Sequence, residues 1–240
     1  MSLLNAELIV PGDYDATLHF SVEHFITTCR DAIQDHGHFF VALSGGSTPK
    51  AIYEILCQPD YSSEIEWDKV HLFWSDERSV PPSSPESNYH MAMKAGFEKM
   101  LLAPGYIHRM IAEENIEENA KRYEEKILKI LDGQSFDLVM LGMGEDGHTA
   151  SLFPNTAGLK SKGRLVIANH VPQKKTWRMT LTFDCINDAA RTVFYVMGKS
   201  KAEMVATVFT TDPSLPCQLV GTPDRPALWI TDEAAASLIA

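Results

Sequence analysis

Residues 136–148, Phe-Asp-Leu-Val-Met-Leu-Gly-Met-Gly-Glu-Asp-Gly-His, concentrate the residue types best suited to chemistry. A short apolar run empties into a glycine-rich loop that ends on Asp146 and His148. Glycine lets a backbone turn sharply and approach a ligand closely, and histidine exchanges a proton near neutral pH. A carboxyl group beside an imidazole can fix its tautomer and stabilise the imidazolium, so the pair suits general-base work. The same segment also satisfies a dinucleotide fingerprint, with Gly142, Gly144 and Gly147 in Gly-x-Gly-x-x-Gly spacing. Such a fingerprint should open a helix and be followed, about 20 residues on, by an acid for the ribose. Here Pro154 cuts any helix short, and no Asp or Glu lies between Asp146 and Asp184. The loop reads as catalytic rather than cofactor-binding.

Three other segments supply matching chemistry. Ser44, Gly45, Gly46, Ser47 and Thr48 join an apolar strand to a helix that Pro49 is expected to begin, with Thr48 as its N-cap. Unpaired N–H groups, the helix dipole and three hydroxyls make a phosphate cradle there, without Walker-loop spacing. Ser75-Asp76-Glu77-Arg78 reads as the loop at a strand end. Asp76 would place a water or sugar hydroxyl, and Arg78 would meet an anion. Arg178, Lys199 and Lys201 add cations near other strand ends. Taken singly, each segment also reads as an ordinary turn, cap or solvated charge; His36 and His38, flanking Gly37, read as helix capping.

The elements that must position these groups follow from periodicity. Leu18, Val22, Phe25, Ile26, Cys29 and Ile33 recur at helical spacing and stop at Gly37. Strands are predicted at 39–43, 70–74, 136–141, 165–168, 178–182, 192–197 and 227–230, with Arg178 at the head of its strand. Helices are predicted from Pro49, from about Asn88 to Leu101, through Ala120–Leu131, from Lys201 to about Phe209, and at the chain's end. Alternation of this kind implies an α/β fold: a three-layer αβα sandwich around a mostly parallel, Rossmann-like sheet. In such a sheet the strands' carboxyl ends share one edge, where ligands bind. The loops at 44–48, 75–78, 142–148 and 198–201 should therefore converge. All 240 residues are expected to form one domain, since no linker or repeat interrupts the pattern.

Composition bounds the partners. With 21 basic and 32 acidic residues the net charge is −11, which disfavours nucleic acid or an anionic membrane as a partner. Cys29, Cys57, Cys185 and Cys217 are scattered without metal spacing and read as reduced thiols. No apolar run approaches the roughly 20 residues of a membrane span, and the N-terminus lacks a signal-peptide pattern. A cytoplasmic protein is expected.

The motifs Ser44-Gly-Gly-Ser-Thr-Pro49, Ser75-Asp-Glu-Arg78, Pro85-Glu-Ser-Asn-Tyr89, Gly142-Met-Gly-Glu-Asp-Gly-His-Thr-Ala-Ser-Leu-Phe-Pro154 and Arg178-Met-Thr-Leu-Thr182 occur in this order. In that, the chain resembles the 6-phosphogluconolactonases, over about residues 40 to 210. These share their fold with glucosamine-6-phosphate deaminases, whose pattern has tyrosine where this chain has Arg78. The deaminase pattern also carries a ring-opening glutamate in the segment that here reads Ser151-Leu-Phe-Pro154. The resemblance implies hydrolysis of 6-phosphoglucono-1,5-lactone without a cofactor. No metal site is expected, and a monomer is expected rather than an oligomer. It implies that His148 activates water, Asp146 orients the imidazole and Asp76 lies near the sugar. Arg78, Arg178 and Lys201 would hold phosphate with the 44–48 loop, Lys199 being the competing lysine. Backbone N–H groups of the Gly142–Gly147 loop are the expected oxyanion donors. A deaminase or isomerase, and a non-catalytic sugar-phosphate sensor, are the alternatives.

Overall fold

The computed structural model describes residues 4–103, 105–211 and 213–239. Met1, Ser2 and Leu3, part of the start read for a signal peptide, lie outside the described residues. The chain runs through β1 (Ala6–Ile9), α1 (Tyr14–His36), β2 (Phe39–Leu43), α2 (Ser47–Leu56), α3 (Pro59–Ser62), β3 (Val70–Trp74), β4 (Asp76–Arg78) and α4 (Asn88–Ala95). It continues through α5 (Ile116–Leu131), β5 (Leu138–Leu141), β6 (Val166–Val171), β7 (Thr176–Leu181), α6 (Phe183–Asp188), β8 (Thr192–Val196), α7 (Ala202–Thr210), β9 (Ala227–Thr231) and α8 (Glu233–Ala236). No described helix is long and apolar enough to cross a membrane.

Local chemistry sets the long helix as expected. Asp13 accepts from the Ala16 N–H at 2.9 Å to open α1. Gly37, at φ 89°, closes it by donating to the Ile33 carbonyl at 2.9 Å. Leu18, Val22, Phe25, Ile26 and Cys29 form its buried stripe.

Six parallel strands form the main sheet in the order β1-β9-β8-β5-β2-β3. Strands β2, β3, β5 and β8 are buried at every position, as apolar runs covered by helices on both faces require. From β2 the chain moves outward to β3, whereas β5 lies on the other side of β2. The sheet therefore reverses direction between β2 and β5, and a crevice opens above their carboxyl ends.

Several elements differ from the sequence reading. β4, β7 and β6 form a separate antiparallel sheet, so Ser75–Arg78 is not a simple loop and Arg178 lies inside β7 rather than at its head. The reason is legible in retrospect: only four residues separate β6 from β7, enough for a hairpin but far short of the dozen or so needed for a parallel crossover. Gly46, not Thr48, is the N-cap of α2, with no side-chain capping bond, and Pro49 is the third helical residue. Proline is tolerated there because the first four N–H groups of a helix have no partner within it. α4 stops at Ala95 rather than near Leu101, because Gly96 turns the chain at φ 144°. The edge strand β1, four residues long, carries too little pattern to read.

A buried histidine pair lies along β3. His71 Nδ1 is 3.1 Å from His108 Nε2, and the Tyr106 ring stacks on His71 at 3.6 Å. Burial, reinforced by His38, lowers His71 from its ordinary value of 6.5 to about 4. Burial, with the charges of His71 and Lys126, lowers His108 to about 3. Between those values and pH 6.5 the unfolded chain binds more protons than the native one, so stability rises with pH. Their contribution is fully present above pH 6.5 and declines as pH falls toward 4. Melting temperatures taken across that window should fall on acidification, and His108→Gln should flatten the slope. An unchanged slope would assign the acid sensitivity to other groups.

Candidate active site

The loops that follow β2, β5 and β8 meet β4 and β7 around a cleft of about 210 Å³. Ser44, Gly45, Gly46, Ser47 and Thr48 form one wall, and the N-terminus of α2 faces the space. Gly142, Gly144 and His148 form a second wall, and Asp76, Arg78 and Arg178 a third. Lys201 completes the lining, whereas Lys199 is exposed and does not line the cleft. Asp146 stands behind His148 rather than in the lining. The convergence expected of loops far apart in sequence is thus observed.

Asp146 Oδ1 lies 2.5 Å from His148 Nδ1 and 3.2 Å from the His148 N–H. Burial opposes ionisation of Asp146, but the hydrogen bond and charge of His148 outweigh it and hold the carboxyl below its usual range. With Nδ1 engaged, Nε2 is the imidazole nitrogen left for exchange with water. The ring stacks on Phe153 at a centroid distance of 3.8 Å. Its other face presses on Gly144, where an added Cβ would come within 2.1 Å of Nδ1 and Cε1. Gly144→Ala should therefore displace the imidazole and lower activity about 10²-fold, the scale of a misplacement near 1 Å. An alanine variant that keeps wild-type turnover would show that the ring's position is not critical.

The oxyanion expectation is narrowed by the loop's own bonds. The Gly144 N–H donates to the His148 carbonyl at 2.9 Å, and the Gly147 N–H donates to the Gly144 carbonyl at 3.1 Å. Those two groups are engaged inside the loop.

Asp76 is nearly fully buried and is held from both sides. Its Oδ1 accepts from Asn88 Nδ2 at 3.0 Å, and its Oδ2 accepts from the Ser151 hydroxyl at 2.6 Å. Asn88 also packs against the cradle, since a Cβ on Gly45 would meet its Oδ1 at 2.0 Å. Next along β4, Glu77 points the other way and caps α4. It accepts from the N–H groups of Arg78, Asn88 and Tyr89 and from the Ser87 hydroxyl at 2.7–2.9 Å. Burial raises Glu77 even against these four bonds. The alternation of a strand thus separates an Asp facing the cleft from a Glu that anchors a helix.

Arg78 and Arg178 are directly opposed in the β4–β7 pairing. Like charges so placed repel, and the Nε of each is buried without a partner. Arg78 donates one bond to the Glu86 carbonyl at 2.6 Å. Burial lowers Arg178, Asp76 pulls it back and Arg78 pushes it further down. Across the cleft, Lys201 Nζ donates to the Met143 carbonyl at 2.7 Å. Three cations and a helix N-terminus around one small space describe a site for an anion.

Sequence reasoning did not single out Asn88, Ser151 or Tyr195, which complete the site. Asn88 and Ser151 lie within motifs already noted, but nothing in their spacing indicates that both reach Asp76.

The sequence model for glucosamine-6-phosphate isomerases/6-phosphogluconolactonase matches residues 12–229. The chain belongs to this family. Among its family relatives, the 6-phosphogluconolactonase of Chlamydia pneumoniae is 41% identical over 211 residues, covering 86% of this chain and 80% of its own. The solved 6-phosphogluconolactonase of Trypanosoma cruzi superposes with a TM-score of 0.87 at 26% identity, over 99% of this chain and 97% of its own. That of Thermotoga maritima gives 0.82 at 30% identity, over 95% and 99%. The six-stranded parallel sheet with helices on both faces is thus the family fold, and the cleft lies at the sheet edge where that fold places ligands.

Proposed function

We propose that the protein hydrolyses 6-phospho-D-glucono-1,5-lactone to 6-phospho-D-gluconate, the second step of the oxidative pentose phosphate pathway. The observation that carries the reading is the Asp146–His148 pair beside a small cleft lined by two opposed arginines, each with its Nε unpartnered. Relatives named for this reaction support it.

In this reading the 6-phosphate sits among Arg78, Arg178, Lys201 and the Ser44–Thr48 cradle. His148 Nε2 takes a proton from water as the water oxygen bonds to the lactone carbonyl carbon. The carbonyl pair moves onto oxygen, and the tetrahedral intermediate collapses with cleavage of the bond to the ring oxygen. The imidazolium returns its proton to that leaving oxygen, and Asp146 steadies the imidazolium between the two transfers. Asp76, with both oxygens held by Asn88 and Ser151, serves to orient sugar and guanidinium rather than to move protons. No cofactor enters the scheme. A cytoplasmic monomer is part of the same proposal.

The segment 151–154 bears on the alternative. The deaminase pattern has a glutamate in its third place, where this chain has Phe153, a buried ring stacked on His148. The test is a coupled assay in which glucose-6-phosphate dehydrogenase makes the lactone and 6-phosphogluconate dehydrogenase reports its opening. Rates no faster than spontaneous hydrolysis would sink the reading.

A further inference from the structure

The Asp146–His148 pair is open to solvent, with side chains that keep 45% and 25% of their exposure. Burial therefore does not hold the two groups in line. Part of what does comes from a distant segment. The Cys217 N–H donates to the Gly147 carbonyl at 3.0 Å, in the middle of the Asp-Gly-His turn. Leu215 closes on the same residue: a Cβ on Gly147 would meet its Cβ and Cδ1 at 3.0 Å. Gly147, at φ 74°, sits in the left-handed region that favours glycine.

The segment carrying Leu215 and Cys217 is built on one short turn of 3-10 helix, Pro216–Leu219. Gln218, 4% exposed, braces its start. Its Oε1 accepts from the N–H groups of Ser214 at 2.8 Å and Leu215 at 2.9 Å. Its Nε2 donates to the Val208 carbonyl in α7 at 3.0 Å and lies 3.4 Å from the carbonyl and hydroxyl oxygens of Thr211. The amide thus ties the turn to the end of α7, the helix that begins beside Lys201.

We propose that Gln218 is a positioning residue for the Asp146–His148 pair, acting through the Leu215–Cys217 turn that backs Gly147. The proposal deepens the lactonase reading, in which His148 acts on water, but it can be tested without turnover. The probe is the side-chain carboxyl carbon of Asp146, followed by NMR through an acid titration of the free protein. His148 is the titratable group facing that carboxyl, and the Cys217 thiol senses it from the turn behind.

In the wild type Asp146 should titrate below the ordinary aspartate range. In Gln218→Met, which keeps the volume and loses the bonds, its titration should move up toward that range. kcat should then fall about 10- to 100-fold with KM little changed. Leu215→Ala removes the wedge without removing a hydrogen bond and should shift Asp146 less, in the same direction; it serves if the methionine variant does not fold. An unshifted Asp146 in folded variants overturns the proposal. A shifted Asp146 in the variants, with the wild type itself inert toward the lactone, would support the positioning and remove the lactonase reading instead.

Discussion

His148→Ala should lower kcat by about 10²–10⁴, the usual worth of a positioned general base, while KM stays near its wild-type value. In the proposed mechanism turnover is the parameter affected, because the imidazole would interact most strongly with the water being deprotonated and not with the bound lactone. The substitution should be tolerated by the fold: the side chain is partly exposed, and its ties are to Asp146 and Phe153 in the same segment. The coupled assay, corrected for spontaneous opening of the lactone, reads the effect directly. A KM rise with turnover preserved would mean that His148 binds rather than reacts. Loss of both, in a protein whose circular dichroism melt has collapsed, would mean that the residue is structural.

Arg178→Ala should have the complementary signature. A charge-assisted hydrogen bond is worth about 1.5–3 kcal/mol, so KM should rise roughly 10- to 150-fold with a smaller change in kcat. The free protein should lose little stability and could gain some, because Arg178 stands opposite Arg78 in the strand pairing with its Nε unpartnered. Removing one of two facing cations relieves a repulsion that Asp76 offsets in part and a bound anion would offset further. Inorganic phosphate offers a readout separate from catalysis. It should raise the melting temperature of the wild type and do so far less in the variant, since a ligand stabilises only the state that binds it. Equal stabilisation of both proteins would place the phosphate elsewhere.

Much of this site is legible in the chain itself because its parts are local. The Asp146-Gly-His148 bond spans two residues, and the cradle at 44–48 is a strand-to-helix turn whose anion preference comes from backbone groups alone. The absence of an acid between Asp146 and Asp184 likewise rejects the dinucleotide reading without any coordinates. Alternating strands and helices imply the parallel sheet, and a parallel sheet implies that its carboxyl-end loops share an edge.

What stayed hidden depends on contacts between segments far apart. Short strands carry little periodicity, so β1 leaves no pattern in the sequence and β4 reads there as a loop. Strand pairing is decided by partners rather than by a segment's own pattern, and only the second sheet sets Arg78 against Arg178. Hydrogen bonds from Asn88 and Ser151 to Asp76 cross 12 and 75 residues of chain. Choosing between Lys199 and Lys201 required the three-dimensional turn, which directs Lys201 to the cleft and leaves Lys199 exposed. The sequence alone thus determined which side chains and backbone groups each loop presents, because backbone turns and near-neighbour pairs are local physics. The tertiary structure decided which of those groups face one another, because burial and pairing are properties of surfaces that exist only once the chain has closed.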